Sequence, residues 1–497
     1  MHVALIQCPA WSVDRPPYGI SLLKSLLEGH GHTVDPFDLN VEMFQRAKSE
    51  KKSIRFMLTG KRENKFTQEA WSSWAIEWNW ADVKDVKAYM QDNRRFIDDY
   101  IDRILATGAR AIGFSVHHTS KHFSILMAEQ IKRRDPSRVI LFGGPQCFPT
   151  CDGSAMIQSN WAVDVVCLGE AEGLLGELLD EINEHGLTDT DRYERFIGYQ
   201  VRLSNGHIVH RNNDRQPNWI QLDNLPFADW TWVDQDLYES HSIPVITSRG
   251  CIRRCRFCSE AGHSFTSWGG FRYRSAEKVM EEILHQHALY QFEFLWFTDS
   301  VFNGSIEMVD ELMDRIIEAD LGFRWDAQLT IRPDMTLELL EKFKRAGCNR
   351  LHWGVESGSD HVLHLMRKGY KRKTAIEVIA RTHEVGISQN INIIVGFPGE
   401  EEEHFLETLD FLEQIMPLGI SNPPVAPCDI NPGSALWNMV DELDIDLGET
   451  YGHWFIRDRS NTYDIRMDRK DRMEQALAEM KEDYEAKLQL HNIERSA

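Results

Sequence analysis

Apolar positions in the first 185 residues alternate between short runs and helical spacing. HVALIQ (2–7), HTVDPFDL (32–39), ARAIGFSV (109–116), RVILFGG (138–144) and VDVVCLG (163–169) are spaced as strands. YGISLLKSLLEGHG (18–31) sets leucines at helical spacing and stops on glycine, and HFSILMAEQIKRR (122–134) and EGLLGELLDEINEHG (172–186) continue the alternation. Apolar strands alternating with amphipathic helices specify a parallel sheet covered on both faces. Five such units predict a doubly wound, flavodoxin-like domain over 1–185 with a helical insertion at 45–105. Within that insertion WSSWAIEWNW (71–80) is expected to be the buried face of a helix.

The alternation breaks over 186–242. Asn205-Gly206 sits between two strand-like runs and signals a hairpin, and LDNLPFADWTW is punctuated like a linker. It then resumes over 243–430, with strands at 243–250, 292–299, 323–329, 350–356 and 390–397, a weaker one near PPVAPCDI, and helices at 275–290, 305–319, 336–346, 371–385 and 401–416. Repeated βα units too few for a full barrel predict a partial (β/α)6 TIM-type barrel, with chemistry at the carboxyl ends of its strands. Residues 431–497 form a small, mainly helical C-terminal region with a helical run at 468–491. The fold class is therefore α/β throughout.

Composition narrows the partners. A formal net charge of -22 disfavours nonspecific attraction to nucleic acid, and no apolar run is long enough for a membrane span. The first residues lack the basic and apolar stretches of a secretory signal, and four of the nine cysteines, Cys8, Cys167, Cys348 and Cys428, stand singly, so a reducing, cytoplasmic compartment is expected.

Three cysteines do cluster. SRG-CIRRCRFC-SEAG places Cys251, Cys255 and Cys258 in a C-x3-C-x2-C pattern directly after the first barrel strand. A tight loop there can bring three thiolates to one iron–sulfur cluster and leave one iron without a protein ligand. Arg249, Arg253, Arg254 and Arg256 add positive charge beside an anionic cluster. The alternative is a structural zinc site, which needs a fourth ligand such as His263, since no second C-x2-C pair exists. Trp268 and Gly269-Gly270 read as a lid. Cys147 and Cys151 are expected to be plain thiols.

The cysteine pattern, with Phe257 before its last cysteine, resembles the radical S-adenosylmethionine superfamily. FTDSVFNG (297–304), IRPDMT (331–336), HWGVESGSDHVLHLMRKG (352–369) and INIIVGFPGE (391–400) are similar to that family's later motifs. The resemblance implies a [4Fe–4S] cluster on Cys251, Cys255 and Cys258, Phe257 against the adenine of S-adenosylmethionine, Glu356 on its polar groups, and Val395-Gly396 lining the adenine pocket. Asp299, Gln328, Arg332 and Asn392, at or near strand carboxyl ends, complete the expected set. For Arg332 and Glu356 the plainer readings are a loop clamp and a paired buried carboxylate.

PPYGISLLKSLLEGHGH, AIGFSV, ILFGGPQ and VCLGEAEG, with LDNLPFADW after them, resemble the cobalamin-binding domain fused ahead of many members. The D-x-H-x-x-G cobalt-ligand signature is absent. The expected cobalamin contacts are Ser115, His117, Thr119, Gly143, Gly144, Pro145, Gln146, Gly169 and Glu170, with His117, His118, water or nothing beneath cobalt. The resemblance thus implies a cobalamin-dependent radical C-methyltransferase acting on a small-molecule substrate, with an electron donor such as flavodoxin or ferredoxin; the aromatic-rich insertion and tail read either as the lining of an apolar or ring-bearing pocket or as packing. A cyclase or C–C coupling enzyme of the same architecture, or a noncatalytic metal-binding module, are the alternatives.

Overall fold

A computed structural model describes residues 1–50, 71, 80–210, 220–264, 270–420, 423–448 and 452–496. Most of 71–80 and the proposed lid at Trp268-Gly269 lie outside these residues. The chain divides into two compact units, Met1–Pro244 and Val245–Ala497.

In the first unit β1 (His2–Gln7), α1 (Tyr18–Gly29), β2 (Thr33–Asp38), α2 (Leu39–Ser49), α3 (Val83–Asp92), α4 (Arg94–Ala106), β3 (Ala111–Ser115), α5 (Lys121–Arg134), β4 (Val139–Gly143), α6 (Gly153–Ser159), β5 (Val165–Cys167) and α7 (Leu175–His185) follow in order. The strands lie in the order β2-β1-β3-β4-β5, all parallel, so the switch point falls between β1 and β3. Helices on both faces explain why these strands are near-continuous apolar runs. β6 (Tyr199–Arg202) and β7 (Ile208–His210), joined through Asn205-Gly206, add antiparallel to β5. The hairpin expected at Asn205-Gly206 therefore extends this sheet. Its turn needs glycine, because Gly206 has φ +86°.

α2, α3 and α4 are the described helices of the insertion. Trp71 and Trp80 are fully buried, and the Trp71 indole N–H donates to Asn40 Oδ1 at 2.7 Å.

The second unit carries a six-stranded sheet in the order β8-β11-β12-β13-β14-β15, whose edge strand β8 spans the boundary at Pro244. Its strands are β8 (Ser242–Val245), β11 (Phe294–Phe297), β12 (Arg324–Leu329), β13 (Cys348–Glu356), β14 (Ser388–Val395) and β15 (Val425–Pro427). A two-residue ribbon, β9 (Ser248–Arg249) with β10 (Arg272–Tyr273), flanks it. Each pair from β11 to β15 is parallel, and β15 and β8 are the two edges, so the sheet is an open partial barrel of six strands. α9 (Ala276–Tyr290), α10 (Ile306–Ala319), α11 (Leu337–Arg345), α13 (Arg372–Glu384) and α14 (Glu402–Ile415) connect them, with α8 (Ser259–Ser264) and α12 (Asp360–Leu365) as short additions. Side chains of Ser275, Ser305 and Thr336 cap α9, α10 and α11 by accepting from backbone N–H groups, which fixes where each helix starts. The C-terminal helix α15 begins at Tyr463, earlier than its apolar spacing indicated, because Arg466 and Arg469 are buried there. Among the described residues no helix is long and apolar enough to cross a membrane.

Candidate functional site

The cysteine loop leaves the sheet through β9 and turns at Gly250, whose φ is +81°. The three thiols converge: the charge of Cys251 and Cys255 bears on Cys258, and that of Cys255 on Cys251. Burial raises all three, Cys258 to about 12. Backbone donors already point at two of them, from Arg253 to Cys251 Sγ at 3.4 Å and from Ala261 to Cys258. Desolvated thiols that disfavour one another's ionisation become thiolates when iron supplies the compensating charge, so the donor set, with Cys255 buried and Cys251 and Cys258 half-buried, fits a cluster. Among the described residues no three His, Cys, Asp or Glu side chains are placed to hold a metal ion as they stand. The side chain of His263, the candidate fourth zinc ligand, lies outside the described residues.

Behind this loop is a cationic layer that spacing alone did not single out. Lys368 is 4% exposed, and its Nζ lies 3.3 Å from Glu356 Oε1. The same ammonium is 5.6 Å from the Phe257 ring and 6.0 Å from that of Tyr370. Burial works against its charge, but Tyr370, Glu356 and Cys255 more than offset it and keep its pKa raised. The Tyr370 hydroxyl donates to the carbonyls of Gly354 and Val355, at 3.1 and 2.9 Å. Arg253 donates to Thr330 Oγ1 at 3.2 Å and to the Ile331 carbonyl at 2.7 Å. A Cβ on Gly369, which has φ +74°, would come within 2.7 Å of Arg253 Nη1. Burial raises Glu356, opposed by Lys368. Its backbone takes φ +75°, unusual for a side-chain-bearing residue and common at ligand sites. The only sequence signal for this layer was a lysine and a tyrosine flanking glycine in RKGY.

Asp299, at the carboxyl end of β11, ties down the strand that feeds the cysteines. Its Oδ1 accepts from Thr247 N and Oγ1 at 3.0 Å, from Ser248 Oγ at 2.7 Å, and from Ser248 N. Its Oδ2 is buried and has no donor among the described residues. Burial pushes the acid up to about 6, against the bonds from Ser248 and Thr247. An anionic oxygen with an unused lone pair fits a cationic ligand group.

Other expected contacts divide. Gln328 and Asn392 are exposed on one face of the sheet. Gln328, His352 and Asn390 stand side by side in register, so Asn392, two residues on, shares that face. Arg332 is a loop clamp: Nη1 donates to the carbonyls of Asn303 and Gly304 at 2.9 and 2.8 Å, and Nε and Nη2 hold Asp334. Val395 is buried. Gly396 has φ +73°, and a Cβ there would meet Arg466 Cγ at 2.3 Å. Its N–H donates to Glu400, whose carboxylate also accepts from Arg469 at 3.0 Å.

In the first unit the expected residues gather at the carboxyl ends of β3, β4 and β5. Ser115 and Gly143 are in register. His117 stacks on Trp11, with ring centroids 3.8 Å apart and an interplanar angle of 22°. Burial lowers His117 to about 4, so the imidazole is neutral. The Thr119 hydroxyl donates to the Ala10 carbonyl. Pro145 opens a helical turn in which Gln146 donates to Asp152 at 2.7 Å. Gly144, at φ +93°, is glycine for an internal reason, since a Cβ would lie 2.8 Å from Val116 N. Gly143 faces more open space, the nearest atom to a Cβ there being Cys167 Cβ at 3.8 Å. Gly169 accepts from the Cys167 thiol, and Glu170 follows it. Trp11, on the loop after β1, is an exposed indole backed by that neutral ring.

Residues 245–412 match the radical SAM superfamily. An uncharacterized methyltransferase of Pyrococcus horikoshii is 24% identical over 66% of this chain and 68% of its own. The bacteriochlorophyllide d C-12(1)-methyltransferase of Chlorobaculum tepidum is 30% identical over 44% of this chain, and the match spans only 47% of that relative. Two solved structures share the fold over 89% of this chain. One is the cobalamin-dependent S-adenosylmethionine radical enzyme OxsB with aqua-cobalamin and S-adenosylmethionine bound (TM-score 0.63, 16% identity, 61% of that chain). The other is the radical S-adenosylmethionine methyltransferase TsrM from Kitasatospora setae with cobalamin and a [4Fe-4S] cluster bound (TM-score 0.61, 17% identity, 78% of that chain). The three-cysteine loop lies inside the matched stretch, so residues 245–412 are a radical SAM superfamily domain, the kind that uses a [4Fe–4S] cluster and S-adenosylmethionine.

Proposed function

We propose that this protein is a cobalamin-dependent radical SAM methyltransferase that methylates an unactivated carbon of a small molecule, with a flavodoxin- or ferredoxin-type electron donor. The observation that carries the reading is a loop of three thiols whose charges bear on one another, Cys255 buried and Cys251 and Cys258 half-buried, together with Asp299, which holds Thr247 and Ser248 just ahead of that loop and keeps one oxygen without a donor among the described residues. When bound, cluster and S-adenosylmethionine supply a carbon radical, and cobalamin a transferable methyl group. Cys251, Cys255 and Cys258 would hold the cluster. Asp299 would take the ammonium of the S-adenosylmethionine methionyl group on Oδ2, while its Oδ1 keeps the strand before the cysteines in place. Phe257 would stack against adenine and Glu356 would accept from ligand hydroxyls. Gln328 and Asn392, exposed on one sheet face, would complete the contacts, with Val395-Gly396 at the pocket edge. Trp11 and His117 would offer a flat, uncharged face to the corrin at the switch point, near Ser115, Thr119 and the 143–146 and 169–170 loops. Support for methyl transfer comes from the methyltransferase relatives and from the fold shared with OxsB and TsrM.

Anaerobic reconstitution tests this. Expected are the broad absorbance of an iron–sulfur cluster, the sharper bands of a corrinoid, deoxyadenosine on reduction, and a product heavier by one methyl. A cysteine-to-serine change at 251, 255 or 258 that leaves iron content and deoxyadenosine formation intact overturns the reading. A product that has lost hydrogen without gaining carbon overturns methyl transfer alone.

A further inference from the structure

We propose that Lys368 is a fixed counter-charge to the iron–sulfur cluster and sets how readily the cluster accepts an electron. The inference rests on the cluster reading above. It goes beyond it by assigning a role to a residue that binds neither iron nor S-adenosylmethionine in that scheme.

Lys368 is buried, and an unpaired cation there would be costly. Glu356 offsets it only in part: a single contact at 3.3 Å joins one ammonium proton to one carboxylate oxygen. Two aromatic faces, Phe257 and Tyr370, flank the rest of the ammonium within 6.0 Å, an arrangement that stabilises a cation without neutralising it. The position is rigid. Tyr370 is anchored to two successive carbonyls of β13, and the glycine between Lys368 and Tyr370 lies against Arg253, whose own fork is held by Thr330 and Ile331. Phe257 sits between Cys255 and Cys258 in the chain, so an ammonium against its ring is beside the cluster loop.

Reduction of the cluster adds one electron, lowers its net charge by one, and changes no bond or proton. A cation held nearby in a low-dielectric setting favours that step and raises the midpoint potential. Removing the cation lowers it. Neutralising Glu356 has the opposite effect, because the same ammonium then acts unopposed.

The test is an EPR-monitored redox titration with dithionite on the reconstituted full chain, without S-adenosylmethionine, comparing wild type with Lys368→Met, Lys368→Arg and Glu356→Gln. Lys368→Met is expected to retain iron but to show about a tenfold drop in the reduced fraction at fixed ambient potential, about 59 mV for one electron. Lys368→Arg stays near wild type, and Glu356→Gln shifts the other way. An unchanged potential in Lys368→Met with full iron content overturns the proposal, as does a downward shift in Glu356→Gln. Should Lys368→Met fail to assemble, Glu356→Gln decides: an upward shift supports the proposal, and no shift overturns it. A wild-type chain that holds no cluster would instead overturn the proposed function, so the two failures are distinguishable.

Discussion

Asp299→Asn is expected to stabilise the ligand-free protein while weakening its hold on S-adenosylmethionine. The carboxyl is 2% exposed, and its folded acidity lies near 6 against an ordinary 3.8. Ionising it inside the fold therefore costs about 3 kcal/mol at neutral pH, at about 1.4 kcal/mol per unit. The amide keeps the Oδ1 acceptor for Thr247 and Ser248 but puts an N–H2 where Oδ2 has no partner, at a cost of about 1 kcal/mol. The net gain is about 2 kcal/mol at pH 7. The sign follows from proton uptake: with its pKa raised by folding, the native state binds the proton more readily than the unfolded chain between pH 6 and 3.8. Wild-type stability therefore rises relative to the variant as pH falls through that window. Urea denaturation of both proteins at pH 7 and pH 4 measures the difference, and subtracting one protein from the other cancels every titration they share. In parallel, equilibrium dialysis of S-adenosylmethionine on reconstituted protein should show at least a tenfold loss for the variant, about 1.4 kcal/mol, since the amide offers no negative charge to the ammonium. A variant less stable than wild type at pH 7, or a stability difference that does not change with pH, would refute the reasoning.

Two further outcomes concern the end of β14. Gly396→Ala should cost at least about 2 kcal/mol, from the left-handed backbone and the 2.3 Å approach to Arg466; a melting temperature equal to wild type would contradict this. Glu400→Gln leaves Arg469, 6% exposed, without its counter-ion and should destabilise by about 3 kcal/mol. The loss should be seen first as hydrogen exchange at the N-terminal turns of α15.

Much of the architecture was legible from period alone. Buried parallel strands demand continuous apolar runs, and the helices between them demand one apolar face. The ten parallel strands β1–β5 and β11–β15 therefore stand out in the sequence, although their ends shift by a few residues. The cysteine triad was equally legible, because three ligands within eight residues need no distant part of the chain to bring them together. Asp299 was legible as a strand-end polar residue. Its division of labour was not, since one oxygen is consumed by Thr247 and Ser248, 52 and 51 residues earlier.

Local pattern fixed the secondary structure and the iron-ligand loop because both depend on residues a few positions apart. Only the tertiary structure decided what faces those residues. It spent Arg332 on an aspartate in its own turn and on two carbonyls 28 and 29 residues earlier, and it stacked Trp11 on His117 across 106 positions of chain. It also brought Lys368 against Phe257 and Glu356. Charge acts through space at fixed distance, and composition carries no distances, so the electrostatics of the site belong to the fold and not to the motif.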